Sequence, residues 1–293
     1  MVFKTGLPRY GFAWKKLPAL TSYTAKMIID SRGKLSVTLD LGLSETCITV
    51  KDKFVELPSG LKIELYQLLK VVNDEDSVYV VDQESNVVKA AMFDGKSYYK
   101  LKPVSYNKAP TLEIDGIHMH RIVDVTPWED SELKVNAVRV RKNMEVLDIC
   151  TGLGYTAILS AKKGAKVLTI EKNQSVLEMA SYNPWSKFLE LPNIQIVLGD
   201  ALEVVKYLPA ASFDRIIHDP PRFALAGELY SESFYQDLYQ VLKENGMLLH
   251  YVGTPGSKVR GVNLAKGVER RLLRAGFKKA VMLKDIECVL AYK

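Results

Sequence analysis

The sequence predicts an α/β protein in which a doubly wound, mostly parallel sheet follows a smaller β-rich domain. Three observations carry this. After Asn143 apolar runs alternate with helical segments in the order strand, glycine turn, helix, strand, which builds a parallel sheet covered on both faces. Before Arg121 the apolar runs are short, alternate with polar residues and are broken by turn signals, as in antiparallel β structure. The chain has 293 residues, 47% hydrophobic and 25% charged, enough for roughly two domains with sizeable cores and too apolar for disorder. The break is expected near Thr126, giving domains 1–125 and 126–293.

In the first domain Leu35-Val37-Leu39, Val78-Val80 and Val87-Val88 read as strands, punctuated by Pro58-Ser59-Gly60, Asn73-Asp74 and Asp94-Gly95. One helix is expected there, from Ile63 to Val72. Thr126 to Ser131 marks the boundary and precedes a short helix from Glu132 to Arg139. Strands then follow at Met144 to Ile149, Lys166 to Ile170, Ile194 to Leu198, Phe213 to Ile217 and Met247 to Val252. Helices are expected from Tyr155 to Lys163, closed by Gly164, from Ser175 to Leu189, and from Glu232 to Lys243, closed by Asn245-Gly246.

Composition excludes several classes. No uncharged apolar stretch approaches the roughly 18 residues of a membrane span, and Arg9, Lys15 and Lys16 break any signal-peptide core, so a soluble cytoplasmic protein without a membrane partner is expected. Cys47, Cys150 and Cys288 are too few and too far apart for a disulfide framework or a C-x-x-C site. A net charge of +6 permits a polyanionic partner without demanding one. The basic run Lys258, Arg260, Lys266, Arg270, Arg271, Arg274, Lys278, Lys279 and Lys284 is opposed only by Glu269. It suits either a solvated helix face or phosphate contacts.

Ligands of open parallel sheets sit beyond the carboxyl ends of the strands. The first strand ends in Asp148-Ile149-Cys150-Thr151-Gly152-Leu153-Gly154, whose glycines allow a tight turn and close ligand approach. The second ends at Glu171, a carboxylate suited to two ribose hydroxyls, and the third at Asp200, suited to an adenine amino group. Singly, Glu171 reads as a solvated acid and Asp200 as a helix cap. Together, acids at three successive strand ends describe a nucleoside pocket. Gly152, Gly154 and Ala157 also satisfy G-x-G-x-x-A, so a dinucleotide competes with S-adenosylmethionine. Asp148 would repel a pyrophosphate and suits a ligand bearing an ammonium and a sulfonium, which favours the methyl donor.

The fourth strand ends in His218-Asp219-Pro220-Pro221-Arg222-Phe223. Consecutive prolines impose a rigid extended turn, so Asp219 and the Pro220 carbonyl present two acceptors and Phe223 offers a ring for stacking. That set suits the exocyclic amine of a nucleobase; the plainer alternative is a structural proline turn.

On these residues, 144–293 resemble a class I S-adenosylmethionine-dependent methyltransferase with a Rossmann-like fold. Asp148 to Gly154 resembles motif I, Glu171 motif II, Asp200 motif III and Asp219-Pro220-Pro221 motif IV. The resemblance implies cofactor contacts from Asp148, Thr151, Gly152, Gly154, Glu171, Lys172, Asp200, Ala201 and Asp219, and catalytic roles for Asp219, Pro220, Pro221 and Phe223. Within that class, D-P-P followed by an aromatic resembles the enzymes methylating adenine N6, cytosine N4 and guanine N2. Here Arg222 intervenes before Phe223, and Cys150 stands where the usual pattern has its first glycine. The whole chain, including Ile117-His118-Met119-His120-Arg121, is similar to an archaeal methyltransferase group linked to N4-methylated cytidine in ribosomal RNA. This implies an RNA partner, rRNA ahead of tRNA.

His118 and His120 share one side of a strand, but no third metal ligand is evident, so no metal is expected. With Arg121, Trp128, Arg222 and Tyr230 they are taken as substrate contacts, in a β-rich domain that would recognise substrate. His218 and His250 read as structural, and Phe234 and Tyr235, which with Tyr230 could line a base pocket, stand at the helical spacing typical of core. No cysteine neighbours the D-P-P turn, which disfavours a covalent pyrimidine C5 mechanism. The leading expectation is methyl transfer to an exocyclic amine of an RNA base. Aminopropyl transfer from decarboxylated donor, a non-catalytic RNA-binding module and a nicotinamide dehydrogenase are the alternatives.

Overall fold

The computed structural model describes residues 7–253, 258–259 and 262–293, which form two compact units. One comprises Ala13–Trp128 and Ser175–Phe188; the other comprises Glu129–Gln174, Leu189–Lys293 and the described part of Met1–Phe12.

The first unit is β-rich. One four-stranded antiparallel sheet runs Gly33–Val37, Thr46–Val50, Phe54–Glu56 and Lys62–Glu64 in spatial order. A second runs Ile117–His118, Thr111–Ile114, Tyr98–Lys102 and Ala91–Phe93. A three-stranded sheet joins Ala19–Leu20, Tyr79–Val81 and Val87–Lys89. Leu20, Ile28, Val50, Val55, Ile63 and Leu68 share one buried cluster, in which alternate strand positions meet helices Ser22–Ile29 and Leu65–Val72. The second helix starts two residues later than expected, because Lys62–Glu64 pairs with Phe54–Glu56.

The second unit is built on seven strands, labelled in chain order together with the intervening helices: α1 Pro127–Ala137, β1 Glu145–Ile149, α2 Tyr155–Lys162, β2 Lys166–Glu171, α3 Gln174–Tyr182, β3 Ile194–Leu198, α4 Ala201–Val204, β4 Phe213–His218, α5 Glu232–Val241, β5 Leu242–Tyr251, α6 Leu264–Arg274, β6 Lys279–Leu283 and β7 Cys288–Tyr292. Of these, α3 from Ser175 onward and the first two residues of α1 belong to the first unit. Their order is β3-β2-β1-β4-β5-β7-β6, with β7 antiparallel to both neighbours and the other pairs parallel. This is the doubly wound arrangement expected. The strand order reverses between β1 and β4, so their carboxyl ends flank the natural ligand crevice.

Local differences have physical causes. Helix α1 begins at Pro127, a residue well suited to the first helical position, rather than at Glu132. Helix α3 stops at Tyr182, and a 3-10 turn Pro184–Glu190 replaces its expected last turns, since Pro184 cannot continue the ladder. Helix α5 ends at Val241, because Leu242 already pairs with Phe213 across a register irregularity; Asn245-Gly246 therefore lies within β5. Strands β6 and β7 had no counterpart in the sequence reading.

Candidate active site

Acids from four strand ends converge around Cys150. Burial raises the Cys150 thiol, and the charges of Glu171, Asp219, Asp148 and Asp200 push it the same way. Cys150 adopts a left-handed φ of 72°, at the position where the family pattern places glycine.

Asp148 is fully buried. Its Oδ1 accepts from the Thr156 hydroxyl at 2.7 Å and its Oδ2 from the Thr169 hydroxyl at 2.6 Å; Thr169 is itself within 2.6 Å of the Thr151 hydroxyl. Burial pushes the Asp148 carboxyl up to about 7, with the charges of Asp219 and Glu171 adding to the rise and the hydroxyls opposing it. Glu171 is braced across the glycine turn: Oε2 accepts the Gly152 N–H and Oε1 the Asn173 N–H, each at 3.0 Å. Burial raises its carboxyl despite these bonds. The Lys172 N–H also bonds this carboxylate, and its two oxygens still have acceptor capacity beyond these three donors.

Gly154 caps α2 at φ 82°, and a Cβ there would lie 2.5 Å from Leu189 Cδ2. Gly152, at φ 55°, faces open space: a Cβ would meet nothing within 4 Å. Asp200 is the N-cap of α4, accepting from the Leu202 N–H at 3.0 Å, and Lys172 reaches its Oδ2 at 2.7 Å. Burial raises the Asp200 carboxyl, but the bonds from Lys172 and Leu202 outweigh it and the net shift is downward. The cap reading of Asp200 thus holds, with a cation added. Ala201 is buried in the first turn of α4.

The turn after β4 is pinned from both sides. The Asp219 N–H donates to the Ile149 carbonyl at 3.2 Å, tying the motif to the end of β1. The Tyr230 hydroxyl donates to the Pro221 carbonyl at 2.9 Å, and the Phe223 ring meets Tyr230 edge-on at 5.3 Å. Pro220 is buried, Phe223 half-buried and Arg222 exposed. Tyr230 is itself 2% exposed, so it braces the turn from behind. Directly behind Asp219, His218 stacks on His250 at 4.3 Å between ring centroids, against Tyr230, Phe234 and Tyr235. Burial drives both imidazoles down, His250 to about 3.

Lys134 of α1 was not singled out in the sequence. Its Nζ lies 2.7 Å from Asp219 Oδ2 and 2.9 Å from Asp130 Oδ2, and 4.5 Å from the Tyr251 ring centroid. Burial acts to lower the ammonium, but the charges of Asp219 and Asp130 raise it well above the ordinary range. The one available signal was Asp130 four residues earlier on the same helix.

His118, His120, Arg121 and Trp128 belong to the β-rich unit. There His118 Nε2 lies 3.1 Å from Glu113 Oε2, His120 Nδ1 lies 3.0 Å from the Thr111 hydroxyl, and Trp128 packs on Trp185 at 4.9 Å. Among the described residues no group of three or more His, Cys, Asp or Glu is placed to hold a metal ion. Arg260 lies outside the described residues, as does the side chain of Lys258.

Residues 140–263 match the family model of a methyltransferase domain. With the strand order above, they define the class: a Rossmann-like class I methyltransferase, whose cofactor is S-adenosylmethionine. The chain belongs to the family of the uncharacterized protein MJ1233 of Methanocaldococcus jannaschii, to which it is 45% identical over 279 residues, 94% of this chain and 95% of that one. It is 27% identical over 121 residues to a tRNA (uracil(54)-C(5))-methyltransferase of Pyrococcus furiosus, covering 40% of this chain and 28% of that enzyme. A solved spermidine synthase from Thermotoga maritima, 20% identical, superposes with a TM-score of 0.54 over 69% of this chain and 70% of its own, a likeness of fold.

The residues fit the cofactor. Gly152 leaves a cradle that any Cβ would enter, Glu171 retains acceptor capacity for ribose hydroxyls, and Asp148 has hydroxyl partners but no basic one among the described residues. Such a set welcomes a cation. No helix among the described residues is long and apolar enough to cross a membrane.

Proposed function

We propose that the protein methylates an exocyclic amine of an RNA base, with cytosine N4 in ribosomal RNA as the first target to test and adenine N6 and guanine N2 next. One observation carries the reading: the Asp219-Pro220-Pro221 turn is fixed at the switch point of the sheet, hydrogen-bonded to the end of β1, the strand that carries Asp148. When bound, the donor supplies a methyl group already activated on sulfonium, so the protein's task is alignment and exclusion of water. Asp148, Thr151, Gly152, Glu171, Lys172, Asp200 and Ala201 would hold it, and Gly154, packed against Leu189, would shape the turn that does so. Asp219 would accept a hydrogen bond from the amine and stabilise the positive charge that develops there before the proton leaves. Pro220 and Pro221 keep the turn extended, and Phe223 would stack on the base.

An RNA partner is supported by the exposed cations of α6. Lys266, Arg270 and Arg274 recur every four residues and, with Asn263, Glu269 and Leu273, line an open groove of about 730 Å³. His118, His120, Arg121, Trp128 and Arg222 remain candidates for substrate contact, and Tyr230 for supporting the base-binding turn. Aminopropyl transfer has a likeness of fold in its favour. A polycationic acceptor, however, would meet exposed Arg222 and an Asp219 already paired with Lys134.

The test is transfer of labelled methyl to total RNA from a strain lacking the protein, followed by nucleoside mass spectrometry. Asp219→Ala should lower turnover about 10²–10⁴-fold while leaving donor affinity nearly unchanged. Full turnover in that variant would remove Asp219 from the mechanism. Donor binding without transfer would favour a non-catalytic RNA-binding module.

A further inference from the structure

We propose that Lys134 is a positioning residue for methyl transfer, which fixes one oxygen of Asp219 and leaves the other as an oriented acceptor for the target amine. The inference rests on the function proposed above. Lys134 is an unusual residue to bury: its side chain is 4% exposed, and a lysine at that depth requires anionic partners to remain charged. Two are present. Asp130, 2% exposed, takes one N–H at 2.9 Å, and Asp219 takes another at 2.7 Å through Oδ2. The Tyr251 ring lies against the ammonium, and the Tyr251 hydroxyl donates to Glu287 at 3.2 Å.

Of the three charged groups only Asp219 reaches the surface, with 22% of its side chain exposed. Asp130 is sealed behind the lysine. Among the described residues no donor contacts Asp219 Oδ1. Lys134 therefore occupies Oδ2 and leaves Oδ1 without a protein donor among them.

This division of labour separates holding from reacting. A carboxylate on an unrestrained turn would sample several rotamers and could pair with any passing cation. Held by a buried ammonium, by its own N–H on Ile149 and by the two prolines, Asp219 offers one oxygen in one direction. Lys134 touches neither reacting atom and acts entirely through Asp219.

The test compares full-length wild type with Lys134→Met, Lys134→Gln and Lys134→Arg. Each is read by hydrogen exchange over 219–226 without ligands, and by kcat and KM normalised to folded protein. In Lys134→Met, exchange over 219–226 should quicken about tenfold relative to β4. Its kcat should fall about 10–100-fold, as expected for a misplaced group, with KM for the donor unchanged. Lys134→Gln should lie between, since it keeps an N–H but no charge, and Lys134→Arg should recover most of the order and turnover. If Lys134→Met does not fold, Lys134→Gln supplies the same reading. Wild-type kcat and exchange in either uncharged variant would overturn the proposal, as would an Arg variant as impaired as the Met variant. Exchange is measured without RNA. A wild type that methylates no RNA therefore sinks the substrate reading, while exchange still decides whether Lys134 orders the turn.

Discussion

Gly152 and Gly154 lie two residues apart in one turn, yet the structure assigns their lost hydrogens to different jobs. Both have positive φ, 55° and 82°, so an alanine at either costs about 1–2 kcal/mol of left-handed strain. At Gly154 the new methyl would also lie 2.5 Å, 2.7 Å and 2.8 Å from three carbons of Leu189, an overpacking expected to add about 1–3 kcal/mol. At Gly152 it would meet no protein atom within 4 Å. Gly152→Ala should therefore lower the melting temperature by only about 2–8 °C, taking about 2–4 °C per kcal/mol, and Gly154→Ala by clearly more.

Donor affinity should rank the two differently. The space in front of Gly152 is open, and the Gly152 N–H is held by the Glu171 carboxylate, so this is where the donor is proposed to lie. A methyl group there should weaken binding of S-adenosylhomocysteine about tenfold or more, equivalent to at least about 1.4 kcal/mol. Gly154→Ala should bind almost normally at temperatures where it is folded. Titration calorimetry beside thermal melting reads both quantities. An unchanged Kd for Gly152→Ala would place the ligand elsewhere and refute the reasoning.

Two further outcomes follow from groups away from the turn. The His218–His250 stack is neutral in the fold, with both imidazoles pushed down by burial, so unfolding takes up protons once the pH drops below the usual histidine value near 6.5. The stability that this neutral pair contributes is complete above that value and is lost as pH falls toward the folded-state pKa, about 3 for His250. Comparing His250→Phe with wild type cancels the opposing contributions of Asp148 and Glu171. Between pH 6 and 4.5, roughly, urea denaturation should show the variant losing stability more slowly by about 1.4 kcal/mol per pH unit; equal slopes would contradict the assignment. Separately, Lys266→Glu combined with Arg270→Glu should weaken RNA binding and make the log–log salt dependence shallower by about 1.5 if each contacts one phosphate. Unchanged filter binding at two salt concentrations would remove α6 from the interface.

The glycine turn, the strand-end acids and the D-P-P motif were legible in the sequence because each is a local signal: an apolar run followed at once by residues of special backbone or charge. Asn245-Gly246 shows the limit of such signals. The pair marks a helix end or a kinked strand equally well, and what decides is Leu242 pairing with Phe213, a tertiary contact. Strands β6 and β7 escaped for a related reason. Lys279 and half-buried positions blur the alternation of Lys279–Leu283, and only its pairing with Cys288–Tyr292 makes it a strand. In the site, Thr169 reaches Asp148 through the register of β1 with β2, which places the two opposite each other, and Thr156 reaches it from the first turn of α2. Lys134 escaped altogether, since its carboxylate partner Asp219 is 85 residues away and a lysine in a polar helix reads as solvated.

The way the four acids are neutralised bears on which cofactor the crevice accepts. Asp200 and Asp219 have ammonium partners, Lys172 and Lys134. Asp148 and Glu171 have hydroxyl and amide donors instead, and no basic partner among the described residues. Burial raises both of the latter carboxyls, so their ionised forms are under-stabilised by the protein alone. A ligand bringing positive charge between them recovers that deficit, whereas a pyrophosphate would deepen it by adding negative charge beside two unneutralised acids. The G-x-G-x-x-A spacing is compatible with either ligand. The choice is made by the acid on β1 that lacks a cation, and the hydroxyls of Thr156 and Thr169 hold that acid in place without supplying the missing charge.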